Sequence, residues 1–137
     1  MIVKEIAGRN RFFEFGTRTF VFIHQETGIS VIDDVFERLA NRRKRKDEVK
    51  EGESIFEEAL IVSQIEHIEY IVKVFYACAK TGCELSDEPI DFNLAKVYSW
   101  FDHLGYEQAM ALLNNLIEVY TAKNFKALTA GLKKEAA

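Results

Sequence analysis

From Ser54 to Lys80, apolar residues recur at Ile61, Ile65, Ile68, Val72, Phe75 and Ala79, in steps of three and four that mark one face of an α-helix. A second row, Ile71, Val74 and Cys78, runs along its side. A helix apolar over so wide an arc has to be packed on more than one flank, so this segment is expected to be the central element of the fold. Ser54 is suited to cap it, Glu57 stands in the capping-box position, and Gly82 is the expected stop near Lys80.

Two further helices are expected downstream. One starts near Asp91, carries Leu94, Val97, Tyr98, Phe101 and Leu104, and ends at Gly105. The next runs from Tyr106 through Ala109, Leu112, Leu113, Leu116, Ile117 and Tyr120. Upstream, Ile2 to Ile6 and Arg11 to Phe15 alternate partially and read as a β-hairpin, with Gly8-Arg9-Asn10 as the turn. Two strands alone are marginal in water, so the hairpin must lean on the helices or pair with another chain. That open edge suggests a homo-oligomer.

Thr19 to Thr27 holds the strand-favouring run Phe20-Val21-Phe22-Ile23, but Phe20, Ile23 and His24 also fall at helical spacing before Gly28. Helix is the preferred reading and strand the alternative. Ser30 can cap a helix to about Asn41, with Ile32, Val35, Phe36 and Leu39 on one face. The cations Arg42, Arg43, Lys44, Arg45 and Lys46 are followed at once by acidic residues, which reads as a solvated linker. The expectation is therefore an α+β, mainly α, single domain over 1–137, with an N-terminal β-hairpin and a small helical bundle around one long central helix. Within it, 1–41 hold the hairpin and short helices, 42–53 a charged linker, 54–122 the helical core and 123–137 a mobile tail.

Several function classes fit poorly. A net charge of −4 gives no general attraction for nucleic acid or for an anionic membrane. No uninterrupted apolar run reaches the roughly 18 residues of a membrane span, and no signal peptide is apparent. Two cysteines, Cys78 and Cys83, suit a reducing cytoplasm and build no disulfide framework.

His24, His67 and His103 are scattered, and Glu66, His67 and Glu69 fall mostly on the polar face of the long helix, so no metal site is expected. Cys78 sits on an apolar flank. Cys83, in a turn, has no base tied to it by spacing, and no phosphate-cradling or nucleophile-elbow motif occurs. No catalytic residue and no cofactor is expected. The chain reads as a binding protein rather than an enzyme.

The aromatic content is high: eleven Phe, five Tyr and one Trp. Rigid amphipathic aromatics are enriched at binding hot spots, and Tyr76, Tyr98, Trp100, Phe101 and Tyr120 are the candidate partner-binding residues. Tyr76 and Trp100 lie off the main stripes of their helices, where they face either the core or a partner. The cations at Arg42, Arg43, Lys44, Arg45 and Lys46 are a candidate docking patch, which leaves open a small helical regulator or adaptor that docks nucleic acid or an acidic partner.

The layout resembles the tail assembly chaperones of long-tailed bacteriophages and prophages. The residues that carry the likeness are the hairpin Ile6-Ala7-Gly8-Arg9-Asn10-Arg11-Phe12-Phe13-Glu14-Phe15-Gly16 and the turn Glu26-Thr27-Gly28. They continue in Val74-Phe75-Tyr76-Ala77-Cys78-Ala79-Lys80 at the end of the long helix and in the short helix Val97-Tyr98-Ser99-Trp100-Phe101-Asp102-His103-Leu104. The likeness covers residues 1 to about 122 and is one of layout and apolar pattern. The basic run at 42–46 and the cysteine at 78 depart from it.

The resemblance implies a non-catalytic role in the bacterial host cytoplasm. Such proteins bind the long, aggregation-prone helical tape measure protein before tail tube subunits polymerise around it. It also implies several copies on one client, contact with the tail tube protein, and in some members a longer frameshifted product. Leu132-Lys133-Lys134-Glu135 is a stretch that an A-rich slippery run can encode.

Overall fold

The computed structural model describes residues 1–48 and 54–124, with side chains described for 1–40 and 65–124. Its elements, in chain order, are β1 (Ile2–Ile6), β2 (Arg9–Phe13), α1 (Thr17–Thr27), α2 (Ile32–Glu48), α3 (Ser54–Leu85), α4 (Leu94–Leu104) and α5 (Tyr106–Asn124). This is the expected hairpin followed by helices, mainly α. Thr19 to Thr27 is helical, as preferred.

The hairpin turn is Ala7-Gly8 rather than Gly8-Arg9-Asn10. Ala7 and Gly8 both have positive φ, 54° and 81°, and Ile6 pairs with Arg9. This is the two-residue turn whose twist matches that of the strands it joins. The rest of the register follows: Glu5 with Asn10, Lys4 with Arg11, Val3 with Phe12 and Ile2 with Phe13. Strand β2 therefore ends at Phe13 rather than Phe15.

Three helix ends also differ from expectation. α2 does not stop near Asn41 but continues as helix to Glu48, so the backbone at 42–48 is helical rather than a linker. Nothing between them breaks a helix: Asn41 to Glu48 contains neither Gly nor Pro. α4 begins at Leu94 rather than Asp91, because the Asn93 side chain caps it by accepting the Lys96 N–H at 2.9 Å.

Gly82 is not the stop of α3, which runs on to Leu85. The glycine serves a different purpose. A Cβ at position 82 would meet the Phe12 carbonyl far inside contact distance and the Phe13 nitrogen at 2.6 Å. Strand β2 lies directly on the helix there, and only glycine permits it. One residue past the strand, the Glu14 N–H donates to the Cys78 carbonyl of α3 at 3.1 Å. The outer edge of β2 is thus covered by α3 from Phe12 to Glu14.

The aromatic rings in and against the core form two groups. Phe13 packs on Phe75 (centroids 4.8 Å apart) and edge-on to Trp100 (6.1 Å), while Phe75 meets Phe101 and Trp100 meets Phe92. A second group joins Phe15, Phe20, Phe36 and Tyr120, with Phe15–Phe20 at 5.3 Å and Phe15–Tyr120 at 5.2 Å. Between them, the buried hydroxyls of Thr19 and Thr81 lie 2.9 Å apart and tie α1 to α3. Residues 49–53 and 125–137, part of the expected linker and almost all of the expected tail, lie outside the described residues.

Candidate partner-binding face

The central stripe of α3 changes character along its length. Val72, Phe75 and Ala79 are buried, whereas Ile68 and Ile65, on the same face toward the N-terminus, are 37% and 55% exposed. The whole row was expected to be core. The difference has a geometric cause: α3 has 32 residues and α4 has 11, so at 1.5 Å per residue the first is roughly 48 Å long and the second roughly 16 Å. α4 packs Phe101 on Phe75 in the C-terminal half of α3 and is too short to run along the whole of it, and Ile65 and Ile68 stay exposed.

The flank of that exposed segment is anchored. Tyr70 donates to the Val35 carbonyl of α2 at 2.8 Å, and burial holds its phenol well above the usual range. His67, expected on the polar face, is buried, and its Nε2 lies 2.6 Å from the Leu39 carbonyl. Ile65 and Ile68 are therefore displayed on a helix held against α2 rather than on a loose end.

Among the candidate aromatics, Tyr98 borders this face. It is 37% exposed, and its phenol is raised by desolvation and by the nearby Glu69 carboxylate, the residue after Ile68. Tyr76 is half-buried between Phe92 and the ammonium of Lys80, which lies 4.4 Å from its ring centre. Tyr120 is half-buried in the second aromatic group.

Trp100 and Phe101 do not face a partner as expected: both are core, at 1% and 8% exposure. Trp100 lies off the apolar stripe of α4 because it faces the hairpin and the loop rather than α3. Phe13 and Phe92 pack on it, and the Arg11 guanidinium lies 4.8 Å from its ring centre, paired with Asp91 at 2.7 Å. The side chains of Arg42, Arg43, Lys44, Arg45 and Lys46 lie outside the described residues. Their backbone forms the last turns of α2.

Residues outside the partner-binding candidates form a second apolar feature. Phe20, Val21 and His24 of α1 and Ile29, Val31, Ile32 and Val35 of the following segment line a groove of about 340 Å³. Val21, Val31 and Ile32 are each exposed there. Its only sequence signal is a cluster of aliphatics around the α1–α2 connection.

Neither thiol is arranged for nucleophilic attack. Cys78 is fully enclosed and its pKa is raised by burial. Cys83, expected in an exposed turn, is buried in α3, and burial again raises it, with Asp91 adding to the effect. Among the described residues, no group of three or more His, Cys, Asp or Glu is placed to hold a metal ion, and no helix is long and apolar enough to cross a membrane. Comparison with protein-family models, curated proteins and solved structures finds no match.

Proposed function

We propose that this chain is a non-catalytic tail assembly chaperone of a phage or prophage that binds the tape measure protein and holds it ready for the tail tube. The observation that supports this reading is the stripe on α3, which is core at Val72, Phe75 and Ala79 and exposed at Ile68 and Ile65. A rigid helix that presents aliphatic side chains beside a tyrosine is suited to lie along the apolar stripe of another helix. A tape measure protein offers such stripes over a great length. The likeness in layout supplies the identity of the client, and the exposed face supplies the means of holding it.

Co-expression with the tape measure protein of the same phage or prophage tests this. The expected result is a soluble complex that survives purification, with the client insoluble when expressed alone. A client that gains no solubility and does not co-purify overturns the reading. Steeply salt-dependent DNA binding, lost on neutralising Arg42 to Lys46, would put the regulator reading in its place.

A further inference from the structure

The two edges of the hairpin are not equivalent. The outer edge of β2 is covered by α3 from Phe12 to Glu14, through the contact at Gly82 and the Glu14–Cys78 hydrogen bond. Among the described residues the outer edge of β1 is open. With Ile6 and Arg9 flanking a two-residue turn, Ile6, Lys4 and Ile2 exchange hydrogen bonds with β2, while the N–H and C=O groups of Val3 and Glu5 point away from it. Among the described residues these groups have no partner, and Met1 and Val3 are about half exposed.

The geometry points to a second copy of this chain as the occupant, added antiparallel along β1 about a two-fold axis at Val3. Charge selects that register. Centring the pair on Lys4 or Glu5 would set like charges directly opposite, which destabilises a sheet. Centring it on Val3 sets Val3 against Val3, and Lys4 against Ile2, of the two copies. Val3 already lies across from Phe12 within the hairpin. The dimer would therefore carry one apolar row, Phe12–Val3–Val3–Phe12, across four strands. A two-stranded ribbon becomes a four-stranded sheet, and an open edge is removed. The interface is isologous, so it closes at two copies. This inference stands on the hairpin alone and does not depend on the identity of any client.

The test uses the full chain without an N-terminal extension. Light scattering over a concentration series should give a dimer that dissociates on dilution. Val3→Cys should form a covalent dimer under mild oxidation several-fold faster than Glu5→Cys, with little background because Cys78 and Cys83 are buried. Val3→Lys should shift the chain to monomer while leaving its far-UV circular dichroism unchanged, with a melt that no longer depends on concentration. A monomer at every concentration, equal cross-linking at the two positions, or a dimer indifferent to Val3→Lys would each overturn the proposal.

Discussion

Gly82 on α3 and Phe12 on β2 approach so closely that no side chain fits between the helix and the strand. Gly→Ala within a helix ordinarily stabilises by up to about 1 kcal/mol. Here the added carbon meets backbone rather than a yielding side chain, and overpacking of this kind costs about 1–3 kcal/mol or more. Gly82→Ala should therefore lower the urea midpoint, against the ordinary trend. An unchanged or raised midpoint would mean that the strand does not lie on the helix at that point.

Ala7 carries the opposite expectation. Its φ of 54° is a left-handed conformation that an alanine adopts at a cost of about 1 kcal/mol. Ala7→Asn or Ala7→Gly should stabilise the fold by about 0.5–1 kcal/mol in chemical denaturation, because these residues favour the turn. A loss of stability would contradict the two-residue turn.

The Thr19–Thr81 pair predicts an asymmetry. The Thr19 hydroxyl accepts the Gly16 N–H at 2.9 Å at the start of α1, and it also lies 3.2 Å from the Glu14 carbonyl. In Thr81→Val it can still donate to that carbonyl, so the cost should stay near 1 kcal/mol. Thr19→Val leaves the Gly16 N–H and the Glu14 carbonyl to find new partners, although the Thr81 hydroxyl keeps the Ala77 carbonyl at 2.8 Å, and should cost about 1–3 kcal/mol. Equal effects in paired denaturation curves would rule out the shared network.

Much of this fold was legible because helix periodicity is a strong signal over long segments. The rows at Ile71 to Ala79 and at Leu94 to Leu104 gave the helices and most of their buried faces. What was missed depends on distant pairing. Gly82 looks like a stop until β2 is laid across it, and Trp100 looks like a rim residue until Arg11, Phe13 and Phe92 surround it. Asn41 looked like an end only because charge follows it, and charge by itself does not break a helix. Ile65 and Ile68 were read as core because periodicity reports that a face is apolar, not whether a partner helix is long enough to cover it.

Burial of Tyr70 and Cys78 makes stability depend on alkaline pH. Both groups are held above their ordinary values, 10.0 for the phenol and 9.0 for the thiol, by burial. The native state keeps these protons where the unfolded chain would release them. The stabilisation is complete below about pH 9 and is lost progressively as pH rises beyond it. Urea midpoints between pH 7 and pH 11 should stay level and then fall, and Cys78→Ala should make the fall shallower. A midpoint that is level to pH 11 would contradict the burial of these groups.

The role proposed for the α3 stripe is tested most directly by the affinity of the chain for the tape measure protein before and after the double change Ile65→Glu, Ile68→Glu. Both residues are exposed, so the melting temperature should hold within a few degrees. By contrast, Trp100→Ala in the core should cost about 3–5 kcal/mol. The expected result is a folded double variant that no longer retains the client. A folded double variant that binds as tightly as the unaltered chain would contradict the assignment of this face.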